Sequence, residues 1–192
     1  MQNKKPKLVL VKSNPFINEP DLTYVMKCQQ EFHNKFEVPL NGGMQELYKK
    51  LIEEEHEEWI EDYYSYTAHE YDELKELADV LYVTAGLAYQ MEYKITSGIK
   101  YTKTNYDESI TDLVSEIANG VKDSKTLQEL MYCLYGYAHA MDWNLDEAYA
   151  RVHSSNLSKL GDDGKPVRRE DGKVLKGPNY KPPCLIDLTG GN

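Results

Sequence analysis

Leu77-Ala-Asp-Val-Leu-Tyr-Val-Thr-Ala-Gly-Leu-Ala88 decides the fold. The stretch is apolar nearly all round, with Asp79 its one charged residue. A helix that is apolar on every side belongs inside a bundle rather than on a surface. Periodicity extends it over about Tyr71 to Tyr93. A lone carboxylate in such a helix costs several kcal/mol unless it is paired, or else takes up a proton. Glu76 lies one turn before Asp79 on the same side, so this helix offers an i, i+3 carboxylate pair beside apolar surface.

A second helix runs from about Met44 to Tyr64 and contains Leu51-Ile-Glu-Glu-Glu-His-Glu-Glu-Trp59. Tyr48, Leu51, Ile52, Glu55 and Trp59 form one stripe at helical spacing, which puts Glu55 on the core side. Glu58 follows by one turn, and Glu54 sits four residues before Glu58 on the border of the same face. Glu53 and Glu57 read as a solvated face. Two helices therefore each present a carboxylate pair, and four converging carboxylates repel one another unless cations intervene. Pairing with Lys or Arg is the plain alternative, but Lys49, Lys50 and Lys75 read as outward-facing. Hard oxygen donors select Mg²⁺ or Mn²⁺, and Mg²⁺ also coordinates substrate phosphates. A rival reading takes Glu53-Glu-Glu-His56 as the Glu-x-x-His of a di-iron bundle. That site needs the motif twice, and the third helix offers Glu-x-x-Asp.

The rest of the chain reads as further helices. Lys7 to Lys12 is a short strand or an extended arm. Asp21, after Pro20, caps a helix to about Phe36. Asn41-Gly42-Gly43 is a loop. A fourth helix spans about Asp107 to Val121. A fifth spans Ser124, its cap, to Met141. A sixth is opened by Asn144 or Asp146 and ends near Leu160-Gly161. Residues 161–192 are rich in Gly, Pro, Lys and Asp, and Asp171-Gly172 between Val167-Arg168-Arg169 and Lys173-Val174-Leu175 is a hairpin signal. The expected fold is an all-α helical bundle over residues 21–160. An N-terminal arm, 1–20, precedes it, and an irregular segment, 161–192, with a short hairpin follows. Neither an internal repeat nor a Gly-rich phosphate loop is present.

Composition bounds the function. The 192 residues are 41% hydrophobic, enough for one core, and 16 tyrosines against three phenylalanines imply many half-buried contacts. No apolar run reaches the roughly 18 residues of a membrane span, and no signal-type core follows the basic start, so no membrane partner and a cytoplasmic location are expected. Cys28, Cys133 and Cys184 are odd in number and widely spaced, which argues against a disulfide framework or a zinc site. The net charge is -10, yet residues 151–181 hold eight Lys/Arg against four Asp/Glu. An acidic body disfavours duplex nucleic acid. A basic tail on that body suits a small anion bridged to carboxylates by metal.

At the carboxylates the sequence resembles the MazG-like, all-α nucleotide pyrophosphohydrolase superfamily, which includes dimeric dUTPases and phosphoribosyl-ATP pyrophosphohydrolases. That pattern, Glu-Glu-x-x-Glu and then Glu-x-x-Asp, reads here as Glu54-Glu55-His56-Glu57-Glu58 and Glu76-Leu77-Ala78-Asp79. Leu51-Ile52 and Val80-Leu81-Tyr82-Val83 flank the two motifs alike. Glu31-Phe32-His33-Asn34-Lys35-Phe36 is similar to the first-helix segment, and Val152 to Lys159 with the tail to a phage and bacterial subgroup. The resemblance implies Glu55, Glu58, Glu76 and Asp79 as ligands of Mg²⁺ or Mn²⁺, with Glu54 orienting or deprotonating the attacking water. It implies Asn156, Lys159, Lys173, Lys176 and Tyr180 at phosphates or sugar, and Phe32, His33 and Phe36 at the base. It further implies a nucleoside triphosphate substrate, a homodimer or homotetramer, and a bacterial, phage-type origin. A dUTPase-like or phosphoribosyl-ATP-specific enzyme is one alternative, and a non-catalytic helical binding module is another.

Overall fold

The computed structural model describes Pro20 and residues 22–95, 105–120 and 123–189. The arm at Lys7–Lys12 and the Asp21 cap lie outside these residues. Among the described residues six helices follow in order: α1 (Leu22–Lys35), α2 (Gln45–Tyr64), α3 (Glu70–Gln90), α4 (Tyr106–Ala118), α5 (Ser124–Ala140) and α6 (Leu145–Leu157). A single 3₁₀ turn, Ile186–Leu188, closes the tail. No helix among the described residues is long and apolar enough to cross a membrane. The architecture is the all-α bundle expected.

The third helix is its axis. Every residue from Tyr71 to Gln90 is at least partly buried, because α3 packs against α1, α2, α5 and α6 at once. Leu74, Leu77, Leu81 and Leu87 lose all contact with solvent, as does Trp59 opposite them. Close approach of α2 needs Gly86, where an added Cβ would stand 2.5 Å from Cε1 of Tyr48. The helix stops at Gln90 rather than Tyr93, since Glu92 turns into the left-handed region at φ 55° and the Tyr93 N–H donates back to the Ala88 carbonyl at 2.9 Å.

One helix start resolves differently from the sequence expectation, and another decides between the two residues the sequence offered. Asp123, not Ser124, caps α5, its Oδ1 accepting the Lys125 N–H at 2.8 Å. Asp123 stands in extended backbone, as an N-cap must, which leaves Ser124 as the first helical residue. Asn144 rather than Asp146 caps α6, accepting the Glu147 N–H at 3.1 Å.

The hairpin in the tail is present as an isolated antiparallel bridge between Arg168 and Val174. Its turn places Gly172 at φ 93°, and the Leu175 N–H donates to the Val167 carbonyl at 2.8 Å. The hairpin is fastened to the bundle. Arg168 donates to the carbonyl of Phe36 at the end of α1, and a Cβ on Gly172 would meet Met44 at 2.5 Å. Farther along, Arg151 of α6 grips Asp187 through two hydrogen bonds, of 2.5 and 2.9 Å.

Candidate metal centre

The packing of α2 on α3 brings Glu55, Glu76 and Asp79 together. Each offers one carboxylate oxygen, and the three atoms lie within 4.8 Å of one another. Glu76 is buried, while Glu55 and Asp79 are half-buried. Glu58 stands outside this trio, exposed, on the wall of the adjoining cleft. Burial, then the charges of Asp79 and Glu58, push the Glu55 carboxyl up to about 8, against the pull of Lys173. Burial also raises Glu76, with Lys75 opposing.

Lys75 corrects the sequence reading. It does not point outward: its Nζ lies 2.6 Å from Glu76 Oε1 and 2.9 Å from Asp79 Oδ2. Burial alone would lower its pKa, but Asp79 and Glu76 outweigh burial and hold the ammonium charged. The i, i+4 spacing from Lys75 to Asp79 was the available signal.

Do these residues fit a divalent ion? The donors are all hard carboxylate oxygens, as Mg²⁺ and Mn²⁺ require. Oε2 of Glu76 is buried and has no hydrogen-bond partner, although a buried carboxylate oxygen is costly to leave unsatisfied. Three carboxylates share the single ammonium of Lys75, and an acceptor left open among them is the arrangement a further cation completes, so the donor set fits. His56 does not join it. Burial lowers its pKa, and its Nε2 pairs with Thr111 Oγ1 of α4 at 3.2 Å, which removes the histidine from the di-iron reading.

Glu54 lies on the other side of the turn, bound to the tail. Lys173 Nζ is 2.7 Å away, Lys50 3.6 Å and Arg169 3.9 Å. The Lys173 hydrogen bond outweighs burial and holds the Glu54 carboxyl below its ordinary value.

Two cavities meet at the carboxylates. A cleft of about 510 Å³ has Glu55, Glu58, Lys75 and Asp79 on one wall. Asn156, Lys159, Lys173, Lys176 and Tyr180 stand on the other. Burial lowers the Lys159 pKa, opposed by Asp79 and Glu55. The Lys176 ammonium sits 4.9 Å over the Tyr180 ring. Beside the cleft is an apolar compartment of about 90 Å³, with Phe32, Tyr48, Leu51 and Tyr82 among its walls. Glu55, Asp79, Asn156, Lys159 and Lys173 border both spaces. A wider groove of about 670 Å³, between α6 and residues 179–184, has no carboxylate in its wall.

Of the three first-helix residues, Phe32 reaches the compartment. Phe36 stacks behind it, ring centroids 4.4 Å apart. His33 lies behind Tyr48, its ring 5.9 Å from and nearly parallel to the tyrosine. His33 Nδ1 must carry the proton, because its partner at 2.9 Å is the Gln29 carbonyl. Nε2 then accepts from Tyr48 Oη at 3.3 Å. Burial pushes His33 down to about 4, so the ring is neutral.

Tyr82 was missed in the sequence as a wall residue, although it falls one turn after Asp79 on the same face. It is fixed from behind: Tyr82 Oη pairs with His153 Nδ1 at 3.0 Å, and His153 Nε2 with Glu31 Oε2 at 3.2 Å. Arg168 and Val174 were also missed. Both belong to the hairpin that roofs the compartment, a placement no local pattern encodes. No family model, curated protein or solved structure matches the chain.

Proposed function

We propose that the protein hydrolyses nucleoside or deoxynucleoside triphosphates to a nucleoside monophosphate and pyrophosphate, in the manner of the MazG-like pyrophosphohydrolases it resembles. One observation carries the reading: three carboxylates from two helices converge within 4.8 Å, and two of them, Glu55 and Asp79, stand on the border between an apolar compartment and a lysine-walled cleft. The aromatic walls of the compartment suit the face of a base, and the lysines of the cleft suit a triphosphate.

Glu55, Glu58, Glu76 and Asp79 are the residues that would hold Mg²⁺ or Mn²⁺. Such an ion, when bound, neutralises phosphate oxygens and makes a water more acidic. Glu54 is the base by the resemblance alone: it stands outside the cavity walls, bound to Lys173 at 2.7 Å, and release of that contact frees it to take the proton of the attacking water. The water oxygen bonds to the α-phosphorus, the bond from that phosphorus to the bridging oxygen breaks, and pyrophosphate leaves. Lys159, Lys173 and Lys176 meet the charge on the phosphates. Phe32, Tyr48 and Tyr82 wall the base and keep water from it. A homodimer or homotetramer in a bacterial cytoplasm, encoded by a phage-type gene, belongs to the same proposal, and a dUTPase-like or phosphoribosyl-ATP-specific substrate is its narrower form.

The Lys75 contact favours a second reading, a helical binding module whose carboxylates are paired internally. The experiment is pyrophosphate release from a panel of dNTPs and NTPs with Mg²⁺ or Mn²⁺, beside Glu55→Gln and Asp79→Asn. Turnover that both substitutions abolish supports the hydrolase. Folded protein that turns over no nucleotide leaves the binding module.

A further inference from the structure

The third helix carries an ammonium where the proposed metal needs oxygen. Lys75 Nζ takes one oxygen of Glu76 at 2.6 Å and one of Asp79 at 2.9 Å. Both carboxylates belong to the trio whose ligand atoms lie within 4.8 Å. The other oxygen of Glu76 is sealed off without a partner. The lysine side chain, one-third exposed, stands in the wall of the cleft.

An ammonium and a divalent ion cannot share these oxygens at full strength. Mg²⁺ binds oxygen at about 2.0–2.1 Å and demands near-ideal geometry, and a second cation held against the same carboxylates is repelled. We propose that Lys75 is a tethered counter-cation: it holds Glu76 and Asp79 together in the metal-free protein and competes with the divalent ion for them. The inference rests on the proposed metal site. Lys75 is thus a positioning residue that weakens metal affinity, and loading the site moves its ammonium off Asp79 and Glu76 toward the cleft. Removing most site residues weakens binding of the ion; removing this one strengthens it.

The test is Mn²⁺ binding to the nucleotide-free protein, followed by electron paramagnetic resonance, for the wild type, Lys75→Met and Lys75→Arg. Lys75→Met is expected to bind Mn²⁺ at least about tenfold more tightly, the loss of one charge at close range in a half-buried site. Lys75→Arg, which keeps the charge, should stay within about threefold of the wild type. Its metal-free form should also melt close to the wild type, whereas Lys75→Met should melt lower and recover with Mn²⁺. Equal or weaker Mn²⁺ binding by a helical Lys75→Met overturns the inference while leaving the metal site standing. Absence of Mn²⁺ binding by the wild type overturns both. A second measurement needs no variant: the Lys75 ¹³Cε resonance should shift as Mg²⁺ is added, and an unmoved resonance in a loaded protein overturns the proposal.

Discussion

Lys173 Nζ rests 2.7 Å from Glu54 Oε2, so a cation of the tail hairpin sits on the carboxylate proposed to activate water. The contact is the largest influence holding Glu54 below its ordinary pKa. Lys173→Gln should therefore raise the Glu54 pKa and move the acidic limb of the kcat/KM profile to higher pH. A folded pKa that is depressed stabilises the protein above the unfolded pKa and loses that contribution as pH falls through the folded one. Because the pair is partly exposed, the stability loss at neutral pH should be under about 1 kcal/mol. An acidic limb that stays in place in Lys173→Gln would remove Glu54 as the base.

Glu55→Gln and Asp79→Asn each take a charge from the proposed ligand set while keeping its size. Turnover should fall by roughly 10²–10³ or more, the scale on which removing a single stabilising group in a catalytic site acts. With repulsion inside the carboxylate cluster relieved, metal-free Glu55→Gln should melt no lower than the wild type, whereas Asp79→Asn also gives up its ion pair with Lys75 and should melt lower. A variant that loses both activity and helical circular dichroism would point to a structural role instead.

The raised Glu55 carboxyl makes metal-free stability depend on pH. Between the ordinary value near 4.5 and about 8, the folded chain keeps a proton that the unfolded chain gives up. Stability should then fall as pH rises through that window. Saturating Mg²⁺ should flatten the slope, because ligands bind metal in the ionised form. Melting temperatures across pH 5–9 (a range set by roughly the unfolded and folded carboxyl values), with EDTA or with Mg²⁺, measure it.

The buried His33 acts in the opposite direction. Its folded value of about 4 lies below that of an exposed imidazole, so the unfolded chain binds the proton first. Stability should drop by as much as about 3 kcal/mol as pH falls from near 6.5 to 4, and His33→Gln should lose that acid-side slope. Urea titrations at the two ends of the range are sufficient.

Gly86→Ala would set a methyl 2.5 Å from the Tyr48 ring. The expected cost is about 1–3 kcal/mol of overpacking. Tyr48 walls the apolar compartment, so KM for the nucleotide should rise more than kcat falls. Unchanged KM in a destabilised Gly86→Ala would separate Tyr48 from the base.

Much of the bundle was legible because period 3.6 leaves a mark in every helix. Tyr48, Leu51, Ile52 and Trp59 of the predicted stripe are buried and Glu55 within it is half-buried, and Asp79 in an apolar helix announced the cluster. Lys75 was misjudged because its position on the helix is a border, where a long side chain chooses between solvent and a carboxylate one turn away. Asp123 was overlooked because Asp and Ser are both good N-caps, and the sequence offers them side by side. Arg168 and Val174 were invisible for a deeper reason. Their place above the compartment depends on a hairpin docking against α1 and α2, and long-range docking leaves no periodic trace.

The span between Glu54 and Lys173, 119 positions along the chain, has a consequence for synthesis. A ribosome delivers the acidic faces of α2 and α3 long before the basic tail. For that interval the young helices must carry their crowded negative charge without the hairpin. Lys75 is translated next to Glu76 and four residues before Asp79, so part of the neutralisation is on hand at once. The nascent protein is thus spared the full burden of its own acidity while the last third of the chain is still unmade.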